Sequence, residues 1–118
     1  MVVGTFAFSK RDFLDPKEIA KALFISRDDL AWTAGLEPAS LRRQAQARNT
    51  ETQRRLRELV AVLGIASSYY GSPNIAYAWM RSQSLPEFDG RIAMHLIHEG
   101  RAAELLNYLD ISGADAFG

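Results

Sequence analysis

Signals for the beginnings and ends of helices recur from residue 15 onward, with no alternating polar and apolar run long enough for a substantial strand. Asp15-Pro16 is typical of an N-cap followed by a first helical residue, and Ser26 precedes a short segment that Gly35 ends. Gly71-Ser72-Pro73 ends a long segment and begins another. The sequence therefore predicts an all-α fold, with a helix-turn-helix unit and a small second helical unit that share a long helix.

Apolar spacing predicts which residues of these helices face the core. We expect a first helix over about 15–24, a third that begins near Pro38 and breaks at Asn49-Thr50, and a long helix that Thr50 caps. The residues predicted to face inward include Phe24, Ala45, Ile75, Ala78 and Trp79. The tail after Asp110 contains too much glycine for a helix, yet it is apolar enough to lie against another surface.

The composition narrows the class of protein. The chain has 118 residues, of which 47% are hydrophobic and 24% charged, as in a globular protein with one core. Because it has no cysteine, disulfides, thiol nucleophiles and thiolate metal sites are excluded. We expect a cytoplasmic protein without a membrane partner, since the sequence has no recognisable export signal and no apolar run of spanning length.

The formal net charge is zero, but the basic charge is concentrated in the middle of the chain. Residues 38–57 carry a net +5, from six arginines against Glu51, whereas residues 58–118 carry −4, from three arginines against seven acidic residues. The six arginines are Arg42, Arg43, Arg48, Arg54, Arg55 and Arg57. Guanidinium groups are suited to forked hydrogen bonds with phosphate or guanine. The alternative is a solvated helix face with ordinary arginine content.

Residues 27–46 have the pattern of a helix-turn-helix. Ala31 allows close helix approach, Gly35 suits the sharp turn, and Leu36 and Leu41 hold the two helices together. Gln44 departs from the pattern, so the second helix is expected to end or tilt early. The residues predicted to face DNA are Ser40, Arg42, Arg43, Gln44, Gln46 and Arg48. A helical hairpin with merely solvated arginines is the alternative.

Residues 76–118 resemble a known family. The motifs are Ala76-Tyr77-Ala78-Trp79-Met80, Leu85-Pro86, Phe88-Asp89-Gly90-Arg91, Leu96-Ile97, Glu99-Gly100 and Leu105-Leu106, with a glycine-containing end at 113–118. Together they resemble the toxin-binding domain of Xre/MbcA/ParS antitoxins, and the order of the two units matches that family over nearly the whole chain. The chain departs from the family at Ala93, where proline is frequent, and its N-terminal extension is shorter than in some members.

The resemblance implies a bacterial type II antitoxin that binds a RES-domain, NAD-consuming toxin, occludes its active site and represses its own operon as a DNA-binding homodimer. The candidate toxin-binding residues that this resemblance implies are Trp79, Arg91, Gly113, Ala114, Asp115, Ala116, Phe117 and Gly118. Residue chemistry agrees in part, because aromatic residues anchor interfaces and the Asp115 carboxylate suits a basic phosphate pocket. The alternative is that Phe117 folds back onto its own core.

The other candidate sites are weaker. His95 and His98 have a spacing that can bind a metal, but no third ligand is evident, so we expect no metal, no cofactor and no enzymatic activity. Residues 1–14 are interpreted as an arm whose Phe13 and Leu14, with Phe6 and Phe8, can pack on a second copy. The predicted units are 1–14, 15–70 and 71–118, and the runner-up function is a helix-turn-helix regulator without a toxin partner.

Overall fold

The computed structural model describes residues 9–10 and 13–117, and within them the fold is all-α, as predicted. The helices are α1 (Pro16–Leu23), α2 (Arg27–Ala34), α3 (Ala39–Arg42), α4 (Gln44–Ala47), α5 (Thr50–Tyr70), α6 (Pro73–Ser82), α7 (Ala93–His98) and α8 (Ala102–Ser112). Two 3-10 helices, Pro86–Phe88 and Gly113–Phe117, and four two-residue strands complete the described chain. The strands are β1 (Ser9–Lys10) and β2 (Phe13–Leu14), which pair antiparallel, and β3 (Ser84–Leu85) and β4 (Arg91–Ile92), which also pair antiparallel.

Most of the predicted helix ends are confirmed. The Asp15 and Ser26 side chains accept hydrogen bonds from backbone N–H groups in the first turns of α1 and α2. Gly35 and Gly71 end their helices in the left-handed conformation that glycine adopts readily, with φ of 74° and 84°. The prediction that Thr50 caps α5 is wrong, because the Asn49 side chain accepts the first-turn N–H groups instead.

The predicted third helix is interrupted. Arg43 has an extended backbone, with φ −118° and ψ 140°, and separates α3 from α4. Leu41 is buried as expected, but Ala45 is exposed and Ala47 is buried in its place. A continuous helix would turn Ala47 well away from the face of Leu41, so the interruption at Arg43 is what allows both to pack. This accords with the expectation from Gln44 that the helix ends or tilts early.

Two other inward-facing predictions are wrong. Phe24 is 81% exposed because it ends α1 in the left-handed region and its side chain leaves the apolar stripe. Ile75 is 48% exposed, and α6 instead buries Ala76 and Met80 together with Trp79, which is buried as predicted. Ala78 is half-buried.

One hydrophobic cluster connects both predicted units. It includes Leu30 of α2, Leu59 and Leu63 of α5, Met80 of α6 and Leu105 of α8. The long helix α5 packs against both α6 and α8, and α2 packs against α7. The core therefore continues across the predicted boundary at residues 70 and 71.

The end of the predicted arm is attached to this core by a buried amide. The Gln53 side chain accepts a hydrogen bond from Leu14 N–H at 2.8 Å and donates to Leu14 C=O at 3.0 Å. It also donates to Ala47 C=O at 2.7 Å, and thereby fixes the end of α4. Leu14 is buried and Phe13 is half-buried on their own chain. Phe6 and Phe8 lie outside the described residues.

The two predicted units meet at the guanidinium of Arg55. Its Nε donates to Ala34 C=O at 2.7 Å, and its Nη2 donates to the carbonyls of Ile97 and His98 at 3.3 and 3.0 Å. These carbonyls form the C-terminal ends of α2 and α7, where the helix dipoles are negative. A Cβ at Gly35 would lie 1.8 Å from Arg55 Nη2, so glycine is required there for close approach as well as for its positive φ.

We expect Arg55→Met to lower the free energy of unfolding by about 2–4 kcal/mol, since the carbonyls lose a charged donor in a largely buried place. Urea denaturation measures the change. Arg57→Met is the matched control, because Arg57 is exposed on the same helix, and we expect a change within about 0.5 kcal/mol. Equal effects of the two substitutions would show that the contacts of Arg55 contribute no particular stability.

Among the described helices, none is both long and apolar enough to cross a membrane.

Candidate nucleic-acid interface and C-terminal tail

The predicted DNA-facing residues lie on α3, α4 and their flanks, and we call them the basic face. They are Ser40, Arg42, Arg43, Gln44, Gln46 and Arg48. Ser40 is half-buried and the other five are exposed. Arg42 is 3.2 Å from Asp28 in an exposed ion pair, and the Arg48 guanidinium lies 5.1 Å from the centre of the Phe13 ring. The structure therefore brings these side chains together on the surface, on two short helical turns rather than one recognition helix.

Two of the six central arginines, Arg54 and Arg55, make several hydrogen bonds within the fold. Arg55 is committed to the helix ends described above, and its side chain is 11% exposed. Arg54 lies between Glu51 and Glu58, to which it donates hydrogen bonds. The Arg54 guanidinium holds the pKa of the Glu51 carboxyl below its usual range, chiefly through this hydrogen bond. The positive charge that sequence counting assigns to residues 38–57 is thus partly neutralised within the fold.

Sequence reasoning missed two cations beside the basic face. Lys17, in the first turn of α1, and Arg27, in the first turn of α2, line a cavity together with Arg42 and Arg48. The cavity has a volume of about 270 Å³ and also borders Phe13 and other residues of the predicted arm. Lys17 and Arg27 are separated in sequence from the arginine-rich segment, so only the tertiary fold reveals their proximity to it.

A second candidate region is the C-terminal tail, Gly113–Phe117, which forms a 3-10 helix although its glycine content predicts none. Its Phe117 ring stacks on Tyr69 with 4.5 Å between ring centres, lies 4.8 Å from Trp79, and meets Tyr70 edge to face. Tyr70 Oη also donates a hydrogen bond to Phe117 C=O at 2.8 Å. We call Tyr69, Tyr70 and Trp79 the aromatic bed. In this chain Phe117 lies on its own protein, as the alternative interpretation of the tail predicts.

The remaining candidate toxin-binding residues differ in accessibility. Ala116 is buried in the core, whereas Ala114 and Asp115 are exposed and Gly113 is half-buried. Gly118 lies outside the described residues. Arg91, on β4, forms an ion pair with Glu99. Trp79 is 6% exposed, and its indole nitrogen has no hydrogen-bond partner within the described chain.

The two histidines lie near Trp32. The His98 ring stacks on Trp32 with 4.0 Å between ring centres, and its Nδ1 is 2.6 Å from Trp32 C=O. In the part of the chain that the structure describes, no group of three metal-ligating side chains occurs. Trp32 is half-exposed, so this contact joins α2 to α7 at the surface.

A buried polar contact ties α2 to α6. Tyr77 Oη and Thr33 Oγ1 are 2.9 Å apart, and Thr33 Oγ1 also donates to Asp29 C=O. Burial raises the pKa of the Tyr77 phenol, an effect that its hydrogen bond with Thr33 opposes. The phenol is therefore neutral at physiological pH and acts as a structural link.

No family model matches the chain, and neither does any curated protein or solved structure.

If the basic face binds DNA, Arg43→Ala is expected to weaken binding to promoter DNA and to reduce the slope of log K against log salt concentration by about one unit, because one phosphate contact is lost. Fluorescence anisotropy over a salt series measures both quantities. Arg81→Ala is the control, since Arg81 is exposed on α6 over the Tyr77 ring and lies outside the basic face. Wild-type affinity and slope in Arg43→Ala would contradict a role for this face.

Proposed function

We propose that this chain is a DNA-binding antitoxin: its basic face binds operator DNA, and its C-terminal tail neutralises a RES-domain toxin by entering the toxin's active site. The family resemblance supplies the identity of the toxin. The observation that supports DNA binding is the exposure of Arg42, Arg43 and Arg48 side by side on the basic face. Phe117 is docked on its own aromatic bed by stacking and by a hydrogen bond, so the tail mechanism requires that the toxin displace it.

The electrostatics of the tail support an acidic ligand for a basic pocket. Asp115 is exposed beside Phe117, and residues 58–118 carry a net −4. Charge of this sign speeds association with a positively charged partner. A toxin that binds the phosphates of NAD would present such a pocket.

Release of the tail has a cost that the toxin must offset. Three aromatic contacts at about 0.5–1 kcal/mol each and one hydrogen bond at about 1 kcal/mol give about 3 kcal/mol. This lowers the apparent affinity for the toxin by about 100-fold relative to a tail that is already free. Interfaces of nanomolar affinity supply about 12 kcal/mol, so release is energetically feasible.

We expect Phe117→Ala to abolish most of the growth rescue when the chain is co-expressed with the toxin encoded beside it, because the tail loses its aromatic anchor. Colony counts after toxin induction measure rescue, and co-purification measures complex formation. Removal of residues 113–118 is a second variant, since α8 ends at Ser112.

Phe24→Ala is the matched control, because Phe24 is another aromatic residue, highly exposed, follows directly after α1 and is not one of the aromatic residues that contact Phe117. We expect it to retain rescue. Circular dichroism of each purified variant separates loss of folding from loss of the contact. A folded Phe117→Ala or truncated chain that neutralises the toxin fully would refute the tail mechanism.

Tyr70→Phe tests whether the tail must leave the aromatic bed, and here the expected change is tighter rather than weaker toxin binding. It removes the donor to Phe117 C=O and so weakens the docked state by about 1 kcal/mol. If the tail must leave the aromatic bed, toxin affinity should increase about fivefold, as measured by calorimetry. Tyr108→Phe, on α8, is the control and should leave affinity unchanged. Unchanged or weaker binding of Tyr70→Phe would mean that the toxin does not require release.

The second candidate function is a helix-turn-helix regulator without a toxin partner. The burial of Ala116 favours it, because a tail that contributes to its own core has a structural role without any partner. In that case the chain would bind promoter DNA, the neighbouring gene product would not be toxic, and the Phe117 variants would differ from wild type in stability alone.

A further inference from the structure

We propose that the cavity between α1, α2 and the basic face binds a phosphate group, carried by a small phosphomonoester or by a nucleic-acid backbone. The proposal does not depend on the toxin, and it extends the proposed DNA binding only if the phosphate belongs to DNA. We call this cavity the cation pocket. Within the part of the chain that the structure describes, its charged lining consists of Lys17, Arg27, Arg42 and Arg48, with Asp15.

The cation pocket collects positive charge from separate parts of the fold. Its four cations come from α1, α2, α3 and the end of α4, so packing of these helices is what brings them together. Like charges around one cavity repel, and a bound anion relieves the repulsion. Arginine and lysine side chains offer several donors to phosphate oxygens.

The carboxylates near the pocket, Asp15 and Asp28, offset this charge only in part. Asp15 Oδ1 accepts the Lys17 backbone N–H at 3.0 Å, and its carboxylate serves as the cap of α1. Asp28 pairs with Arg42 at 3.2 Å, but both side chains are more than half exposed. An exposed pair of this kind is weak enough for phosphate to compete with it.

Helix ends add to the attraction for an anion. Asp15 caps α1 and Arg27 begins α2, so the N-terminal ends of two eight-residue helices border the same cavity. Acidic residues in the same first turns, Glu18, Asp28 and Asp29, reduce this attraction.

One wall of the pocket is apolar. Phe13, Leu14 and Leu41 line it, and the Phe13 ring holds the Arg48 guanidinium at 5.1 Å from its centre. This contact orders a long side chain before a ligand arrives and lowers the entropy lost on binding. The volume of about 270 Å³ is just below the range of about 300–1,000 Å³ of drug-sized ligand sites, which suits a phosphate with a small organic group.

The test is an NMR titration of the isotope-labelled full chain with inorganic phosphate and with glycerol phosphate, each against sodium chloride at matched ionic strength. We expect phosphate-specific shifts of the backbone amides of residues 13–17 and 27, excluding the proline. Arg27→Ala should weaken the binding of both probes about tenfold, the usual loss for one charge-assisted hydrogen bond. Arg48→Ala is a second variant, at a lining residue that follows α4, and should weaken the binding of both probes similarly.

Arg43→Ala is the control, because Arg43 is exposed close by but does not line the pocket. It should bind both probes as wild type does, even if its binding to promoter DNA is weaker. The absence of phosphate-specific shifts, or equal binding by wild type and Arg27→Ala, would overturn the proposal.

A second set of measurements, with promoter duplex DNA, identifies the source of the phosphate. If DNA supplies it, Arg27→Ala weakens promoter binding and the duplex displaces glycerol phosphate. If a small phosphomonoester supplies it, Arg27→Ala binds the duplex as wild type does. If wild type binds phosphate but does not bind the duplex, the proposed DNA binding is refuted and the cation pocket remains supported.

Discussion

The arrangement of both candidate surfaces depends on the guanidinium of Arg55. Its hydrogen bonds to Ala34, Ile97 and His98 join the ends of α2 and α7, and the stacked rings of Trp32 and His98 continue the same contact to the surface. A buried charge requires several donors and acceptors in register, so this junction tolerates few alternative orientations of the two helices. The chain is consequently one packed body, in which the helix-turn-helix segment and the C-terminal helices position each other.

The two candidate binding surfaces, the basic face and the aromatic bed, lie on the outside of this packed body. The basic face consists of two short turns about Arg43, and packing of Ala47 accounts for the interruption. The aromatic bed holds the tail without burying Phe117 completely. Both regions combine a rigid support with side chains that remain accessible, which is the usual arrangement of a binding surface on a small scaffold.

Sequence patterns predicted what depends on local chemistry. The caps at Asp15 and Ser26, the turn at Gly35 and the boundary at Gly71 follow from neighbouring residues, and all are confirmed. Features that depend on distant contacts were not predictable in this way. Charge counting treated Arg55 as one more cation, because nothing local distinguishes an arginine that bonds two helix ends from a solvated one. The proximity of Lys17 and Arg27 to the basic face, and the docking of Phe117, likewise depend on packing.

Release of Phe117 from the aromatic bed on binding of the proposed toxin can be measured directly by NMR. Nuclear Overhauser contacts between the Phe117 ring and the rings of Tyr69 and Trp79 report its position in the free chain and in the complex. If the tail inhibits the toxin, these contacts are present in the free chain and are replaced by contacts to the toxin in the inhibited complex. Persistence of the intramolecular contacts while the toxin is inhibited would contradict the tail mechanism.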